Sequence, residues 1–377
     1  MATIKSSQVC AFLCLVLLVG SAFAATPATE LLYVQQGQNV ITYSVNTKTA
    51  VTKKLGTLGT AYSGSQPIII NRSGTFLYTL GFSPAIEYFA VYKLTTAGVP
   101  NPTPVQTLTV KPSLHQFVIH PNGLIAYGMF SWSQVDGSGD TEYAGDAVLF
   151  KINPKTGMLT NTAKNVMNFG LSSNWSPSLL EMANKGAKLY FTYLYHGSLW
   201  AGTYYYEANV NATTGALGYL NNVWNDDNFN HHQKSVIGSS VLAQQDNSAT
   251  PYSNININPL TGGFPSFSCD NTMIVQCGDN FGSSLWLHPS NAYLFTDDES
   301  VHAVEILYMN LPGQFLVASG ASIPGNPSNI AFSPDGLLVY AQEGSQILTY
   351  VFNPHSGLLT ARTMINAPGV GSILPWP

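Results

Sequence analysis

The chain has 377 residues, of which 45% are hydrophobic and only 9% are charged, whereas soluble domains typically carry about 25% charged residues. The formal net charge is −5, without a cluster of basic residues, which excludes an electrostatic surface for nucleic acid. The apolar content is sufficient for a large core and excludes an extensively disordered chain.

The first 24 residues have the layout of a secretory signal peptide. Lys5 precedes an apolar run from Val9 to Gly20, and Ala22 to Ala24 form a small-x-small cleavage site. The run is short for a membrane span, and the cleavage site follows it at once. We therefore predict a secreted or periplasmic protein in which residues 25–377 form a single domain without a transmembrane segment.

One segment type recurs along the rest of the chain. Each copy has an apolar strand, a turn with Pro, Asx and Gly, a second strand, and a third strand running into an Asn-Pro-x-x-Gly turn. The clearest copy extends from Ile330 to Thr360. One aromatic residue or leucine anchors each second strand, about 45 to 63 residues apart: Tyr33, Tyr78, Tyr127, Tyr190, Leu242, Phe295 and Tyr340. This spacing is typical of four-stranded propeller blades.

The first copy lacks an inner strand. Leu31 to Val34 already form a second strand, and the segment from Val370 to Pro375 has the pattern of the missing one. Pairing of these segments removes the exposed sheet edges of an open array. The sequence thus predicts an all-β, seven-bladed β-propeller with four-stranded blades, in which the C-terminal strand pairs into the first blade and closes the ring.

The last copy also carries a family resemblance. Its run Ile-Ala-Phe-Ser-Pro-Asp-Gly-Leu-Leu-Val-Tyr, followed by Asn-Pro-x-Ser-Gly-x-Leu-Thr, resembles the lactonase-type seven-bladed propeller family, which includes 6-phosphogluconolactonase and carboxymuconate cyclase relatives. The resemblance covers essentially all of the mature chain. It implies a channel face built from the loops before inner strands and, in members with lactonase activity, an Arg-His pair just before an inner strand.

This chain departs from the Arg-His pattern. The corresponding positions read Pro327-Ser328-Asn329 in the last copy and Leu114-His115-Gln116 in the third. The two arginines of the chain are predicted elsewhere, Arg72 in a turn on the opposite face and Arg362 in an outer strand. Bidentate recognition of a phosphate or carboxylate is therefore not expected on the loop face, and the sequence leaves open whether the protein is an enzyme.

Three functional hypotheses remain. The first is a binding module for a neutral saccharide, a surface polymer or a protein, in which aromatic and polar side chains contact the ligand: Trp132, Trp200, Trp224, Asp226, Asp227 and His232. The second is hydrolysis of an uncharged lactone, with His115 or His231 as base and Glu299 or Glu343 as acid partner. The third is a structural ring without a ligand. The missing arginines favour the first, and we expect a monomer whose partner is a saccharide or a cell-surface protein.

Two sequence features relate to the secretory route. Cys269 and Cys277 are the cysteines that remain after signal cleavage, and in an oxidising compartment they are expected to form a disulfide. Asn71, Asn174 and Asn211 begin Asn-x-Ser/Thr triplets, which are glycan acceptors in a eukaryotic secretory route. Which of them carries a glycan is left open.

Acidic residues suggest two further alternatives. The loop with Asp136, Asp140 and Glu142 alternates acids with small residues, as calcium-binding loops do, but lacks a defined ligand spacing. We therefore predict no metal and no other cofactor. Glu181 lies in the predicted inner strand of the fourth blade, where a buried charge would be costly, so we expect it at the strand end in water.

Overall fold

The computed structural model describes residues 29–60, 69–71, 73–83, 86–110, 114–135, 141–172, 175–196, 201–226, 234–237, 241–246, 254–259, 281–298, 302–310 and 315–376. These residues form twenty-seven strands and one short 3-10 turn, Asn184–Gly186. No helix within these ranges has the length and apolar character of a membrane span. The predicted all-β class is confirmed.

The strands pair antiparallel in seven sheets, designated I to VII, with the strands of each sheet named from the inner strand outward. Sheet I contains β27 (Val370–Trp376), β1 (Thr29–Gln36), β2 (Asn39–Asn46) and β3 (Thr52–Gly59), and sheet II contains β4 (Ile69–Ile70), β5 (Phe76–Ser83), β6 (Ile86–Lys93) and β7 (Gln106–Val110). Sheet III contains β8 (Leu114–Ile119), β9 (Ile125–Val135), β10 (Thr141–Ile152) and β11 (Leu159–Ser172), and sheet IV contains β12 (Trp175–Ala183), β13 (Lys188–His196), β14 (Ala201–Val210) and β15 (Leu217–Asp226). Sheet V contains β16 (Lys234–Ile237), β17 (Val241–Asp246) and β18 (Asn254–Pro259). Sheet VI contains β19 (Phe281–Leu287), β20 (Tyr293–Asp298), β21 (Ala303–Asn310) and β22 (Phe315–Pro324). Sheet VII contains β23 (Asn329–Phe332), β24 (Leu338–Glu343), β25 (Gln346–Asn353) and β26 (Leu358–Asn366).

The C-terminal strand belongs to sheet I. β27 pairs antiparallel with β1, and Leu31 lies opposite Trp376. This is the pairing that the incomplete first repeat predicts. The inner strands of neighbouring sheets also contact one another, as β8 does with β12 and β23 with β27.

The core lies between sheets. Each buried cluster draws its side chains from two consecutive sheets, because alternate residues of a strand point to opposite faces. Between sheets II and III, for example, Phe117 lies 4.6 Å from Phe89 and 5.5 Å from Phe150, measured between ring centroids. One cluster joins sheet VII to sheet I through Tyr340 and Leu32, so the last sheet packs on the first.

The repeated second-strand anchors hydrogen-bond across these packed faces. In three copies, a buried tyrosine hydroxyl donates to the carbonyl of a glycine in the turn between the third and fourth strands of the next sheet. The three bonds are Tyr33 to Gly98 at 2.6 Å, Tyr78 to Gly157 at 2.8 Å and Tyr127 to Gly215 at 2.9 Å. All three glycines have positive φ, from 70° to 76°, a conformation that favours glycine. We call this contact the tyrosine latch.

The remaining described copies replace the latch with other contacts. Phe295 has no hydroxyl, and the carbonyl of Gly357 in the next sheet accepts instead from Ser319 at 3.4 Å. The Tyr190 hydroxyl donates to Glu207 within its own sheet at 2.9 Å. The Tyr340 hydroxyl donates to the Glu30 carboxylate of sheet I. The contact between sheets VII and I therefore depends on a buried carboxyl group.

Candidate functional site

Many of the predicted site residues lie outside the described residues. These are His231, His232, Glu299, Trp200, Asp227, Asp136, Asp140, Cys269 and Cys277. The predicted disulfide and most of the polar-aromatic loop face therefore remain predictions, and the alternative of calcium in the acidic loop stays open.

Backbone positions are described for a second group of predicted residues. His115 lies in β8 at an irregularity of the pairing with β9, between Leu114 and Gln116. Trp132 is opposite Ala144 in the pair β9 and β10, and Glu142 lies further along β10. Trp224 and Asp226 lie in β15, opposite Tyr205 and Thr203. Trp132, Glu142, Trp224 and Asp226 are near strand ends that lead to the predicted loop face.

Glu343 is the predicted site residue whose side chain is described. It is exposed at the end of β24, and its carboxylate lies against Gly325, in the connection from β22 to β23. That connection also contains Pro327 and Ser328, at the positions where the resemblance implies Arg-His. Glu343 therefore occupies the end of the sheets at which the sequence predicts the loop face.

A cavity of about 330 Å³ lies between the inner strands β8 and β12. Its lining residues are Gln116, Phe117, Val118, Leu180, Glu181 and Met182. The Leu180 backbone N–H donates to Gln116 Oε1, which orients the Gln116 amide and leaves its NH₂ group as a donor. Polar groups among apolar side chains are the usual composition of a small-molecule site.

Glu181 supplies the carboxylate of this cavity. Its side chain is half-buried and lies two residues before the end of β12, with its Cα opposite Tyr190. The sequence favours a position at the strand end in water; the structure places Glu181 near that end but half-buried. The bulge in the pairing of β12 with β13, between Pro177 and Leu179, changes the strand alignment just before Glu181, and a bulge is not predictable from residue types alone.

The lining is neutral to acidic. Glu181 is its acidic group, and its polar neighbour Gln116 is uncharged. Arg362 is exposed on the outer strand β26, as the sequence predicts, and Arg72 is outside the described residues. Over the described part of the chain, no three His, Cys, Asp or Glu side chains are grouped as metal ligands. The lining can both donate hydrogen bonds to a ligand hydroxyl group, through the Gln116 amide, and accept them, through the Glu181 carboxylate.

Solved structures with this architecture are β-propellers. Candidate 6-phosphogluconolactonases of Bacteroides fragilis and Bacteroides uniformis are 14% and 11% identical to the chain, with TM-scores of 0.64 and 0.66. The two alignments include 94% and 92% of this chain, respectively, and 99% of each of the solved chains. The periplasmic gluconolactonase PpgL of Pseudomonas aeruginosa is 11% identical with a TM-score of 0.62, covering 93% of this chain and 99% of its own.

The sequence itself matches no protein-family model and no curated protein. The shared property is therefore the fold, and the chain has a lactonase-like β-propeller fold. The resemblance inferred from the blade motif is confirmed at that level. A fold of this kind does not define an activity, which depends on the residues of the site.

Proposed function

We propose that the protein is a secreted or periplasmic seven-bladed β-propeller, closed by β27, that binds a neutral saccharide in its channel and on its loop face. The seven sheets and the pairing of β27 with β1 support the closed ring. The signal-like first 24 residues support export. The Cys269–Cys277 disulfide belongs to the same proposal.

The observation that carries the saccharide proposal is the cavity between β8 and β12. Gln116 brings an amide donor and Glu181 a carboxylate acceptor to the lining, and Phe117, Val118 and Met182 line the same cavity with apolar groups. A sugar has this combination of hydroxyl groups and apolar C–H faces. Since no arginine is among the lining residues of this cavity, a neutral ligand is preferred over a phosphorylated one.

Calorimetric titration with neutral mono- and oligosaccharides tests the proposal. Gln116→Glu keeps an oxygen acceptor for the Leu180 N–H but removes the amide donors, and we expect about tenfold weaker binding, or about 1.4 kcal/mol. Gln38→Ala, an exposed turn residue between β1 and β2, is the matched control and should bind as the wild type does. Binding of no neutral saccharide, or equal affinity for wild type and Gln116→Glu, refutes this site.

Hydrolysis of an uncharged lactone is the second candidate, favoured by the half-buried Glu181 carboxylate. The carboxylate would take a proton from water as the water oxygen attacks the lactone carbonyl carbon. The Gln116 NH₂ group would donate to the oxyanion. As the tetrahedral intermediate collapses, the ring C–O bond would break and its oxygen would take the proton back from Glu181, which gives the hydroxy acid and restores the carboxylate. The predicted alternatives for the proton transfers are His115, His231, Glu299 and Glu343.

A panel of neutral and phosphorylated lactones distinguishes the two candidates. Turnover that is lost in Glu181→Gln or in His115→Ala establishes the hydrolase. Saccharide binding without turnover of any lactone above the uncatalysed rate supports the binding protein. His231→Ala and Glu343→Gln in the same assay test the remaining predicted groups.

A further inference from the structure

A second cavity, of about 550 Å³, lies at the turn end of the inner strands. It is lined by Ile70, Ile119, His120, Pro121, Lys185 and Trp376. These residues come from β4, from β8 and its following turn, from the 3-10 turn after β12, and from β27. We call this cavity the turn-side pocket. It lies at the end of β8 and β12 away from the predicted loop face, and neither the saccharide site nor the lactone site includes it.

Lys185 differs from its counterparts in the other sheets. The corresponding turn residues Asn122, Ser290 and Asp335 accept the backbone N–H two positions further on, at 2.9, 3.2 and 3.0 Å. These are the Asx and Ser contacts that stabilise such turns. Lysine has no acceptor for this purpose, and Lys185 has a left-handed backbone with φ 55° and ψ 30°. The turn itself therefore gains nothing from lysine, and strained positions of this kind occur preferentially at functional sites.

Two donors of the turn-side pocket, on Lys185 and Trp376, have no partner among the described residues. The Lys185 side chain is exposed and forms no ion pair with a described residue. The Trp376 indole N–H likewise has no hydrogen-bond acceptor among the described residues. The indole edge packs at Gly74, where an added Cβ would lie 2.6 Å from Trp376 Nε1, so the ring position depends on that glycine.

His120 forms one wall of the pocket and is held by two hydrogen bonds. Its Nδ1 accepts the Asn122 backbone N–H at 3.0 Å, so its Nε2–H is the group that donates to the Gly186 carbonyl at 3.1 Å. Both ring nitrogens are therefore engaged in hydrogen bonds. Lys185 is the charged group of the pocket lining, beside an indole and the apolar side chains of Ile70 and Ile119.

We propose that the turn-side pocket binds a small carboxylate that carries a ring. The carboxylate would pair with the Lys185 ammonium, and the ring would lie against the Trp376 indole and the two isoleucines. A hexuronate presents an apolar pyranose face to an indole, and an aromatic acid presents a π-face, so both share the required chemistry. This site is independent of the neutral-saccharide site proposed for the cavity between β8 and β12.

Titration calorimetry of the purified chain with sodium D-glucuronate, sodium benzoate, D-glucose and sodium acetate tests the proposal. The informative variant is Lys185→Asn, because asparagine removes the ammonium group and tolerates the left-handed backbone of this position. We expect it to fold at least as well as the wild type and to bind the ring-bearing carboxylate at least tenfold more weakly. Lys155→Asn, in the exposed turn after β10, is the matched control and should leave binding unchanged. Trp376→Leu keeps an apolar side chain and should also weaken binding.

The outcomes separate the sources of the ligand. Tighter binding of glucuronate supports a saccharide acid, and tighter binding of benzoate supports an aromatic acid. Equal binding of acetate and the ring-bearing acids indicates an adventitious ion only and overturns the proposal. Failure of both ring acids to bind, or equal binding by wild type and Lys185→Asn, also overturns it. Glucose binding that is unchanged in Lys185→Asn belongs to the other site.

Discussion

Replacement of Glu30 by glutamine is expected to remove a pH dependence of stability that originates where sheet VII meets sheet I. Glu30 is 3% exposed at the start of β1, and its carboxylate accepts the Tyr340 hydroxyl. Burial raises the pKa of Glu30 to about 8, the Tyr340 hydrogen bond opposes that rise, and the charge of Asp335 adds to it. Glutamine has nearly the same shape, retains an oxygen for the Tyr340 hydroxyl and carries no charge.

The direction of this pH dependence follows from proton binding in the folded and unfolded states. With a pKa raised from 4.5 to about 8, Glu30 is protonated in the folded state and ionised in the unfolded state at intermediate pH. The stabilisation is fully present below the unfolded pKa and is lost as pH rises through the folded value. Between about pH 5 and about pH 8, this amounts to a loss of about 3–4 kcal/mol in the free energy of unfolding.

Urea denaturation of wild type and Glu30→Gln at a series of pH values measures this loss. The difference between the two proteins removes the contributions of the other titratable groups. One of these is His288: burial lowers its pKa, so below its unfolded pKa its contribution to stability rises with pH, opposite to that of Glu30. Glu343→Gln, at an exposed carboxyl, is the matched control. Parallel stability profiles for wild type and Glu30→Gln would refute the reasoning.

Three other outcomes are expected. Tyr127→Phe removes a buried 2.9 Å latch bond and should lower the free energy of unfolding by about 1–3 kcal/mol in denaturant titrations, because the carbonyl acceptor stays buried; an unchanged midpoint would contradict this. Gly157→Ala should lower the melting temperature, since φ is +70° and the new Cβ would overlap the Phe76 ring. Expressed through a eukaryotic secretory route, Asn211 should carry a glycan and Asn71 should not, because Asn211 is exposed and Asn71 is 4% exposed; peptide mass spectrometry decides this.

The sequence predicts the sheets well because each copy is specified locally. The alternating apolar residues and the Asx-Gly turns place Tyr78 in β5 and Tyr340 in β24, and the surplus strand at the C-terminus pairs with β1 as expected. Three adjacent tyrosines, Tyr204 to Tyr206, lie on the third strand of their sheet. Residue spacing within one sheet carries this information.

The functional residues are less predictable because they depend on neighbouring sheets. Gln116 follows the predicted His115 in β8. Its role as an oriented amide donor is evident only from the fold, in which β12 lies beside β8 and the Leu180 N–H donates to the Gln116 oxygen. Its sequence signal is a polar residue within an apolar inner strand. Lys185 stands where other copies carry Asn, Ser or Asp, and a comparison of turn positions could have identified it. The pocket that it lines requires four separate elements.

The antiparallel pair formed by β27 and β1 is a hairpin without its connecting turn. In sheets III, IV, VI and VII, the inner and second strands are joined by short turns such as the one from His120 to Leu124. A comparable turn joining Trp376 to Thr29 would make the domain covalently circular, and the chain could then be opened at another connection. Circular permutants that begin at β12 or β23 should therefore assemble the same sheets, which makes this fold a scaffold whose termini can be relocated around the propeller.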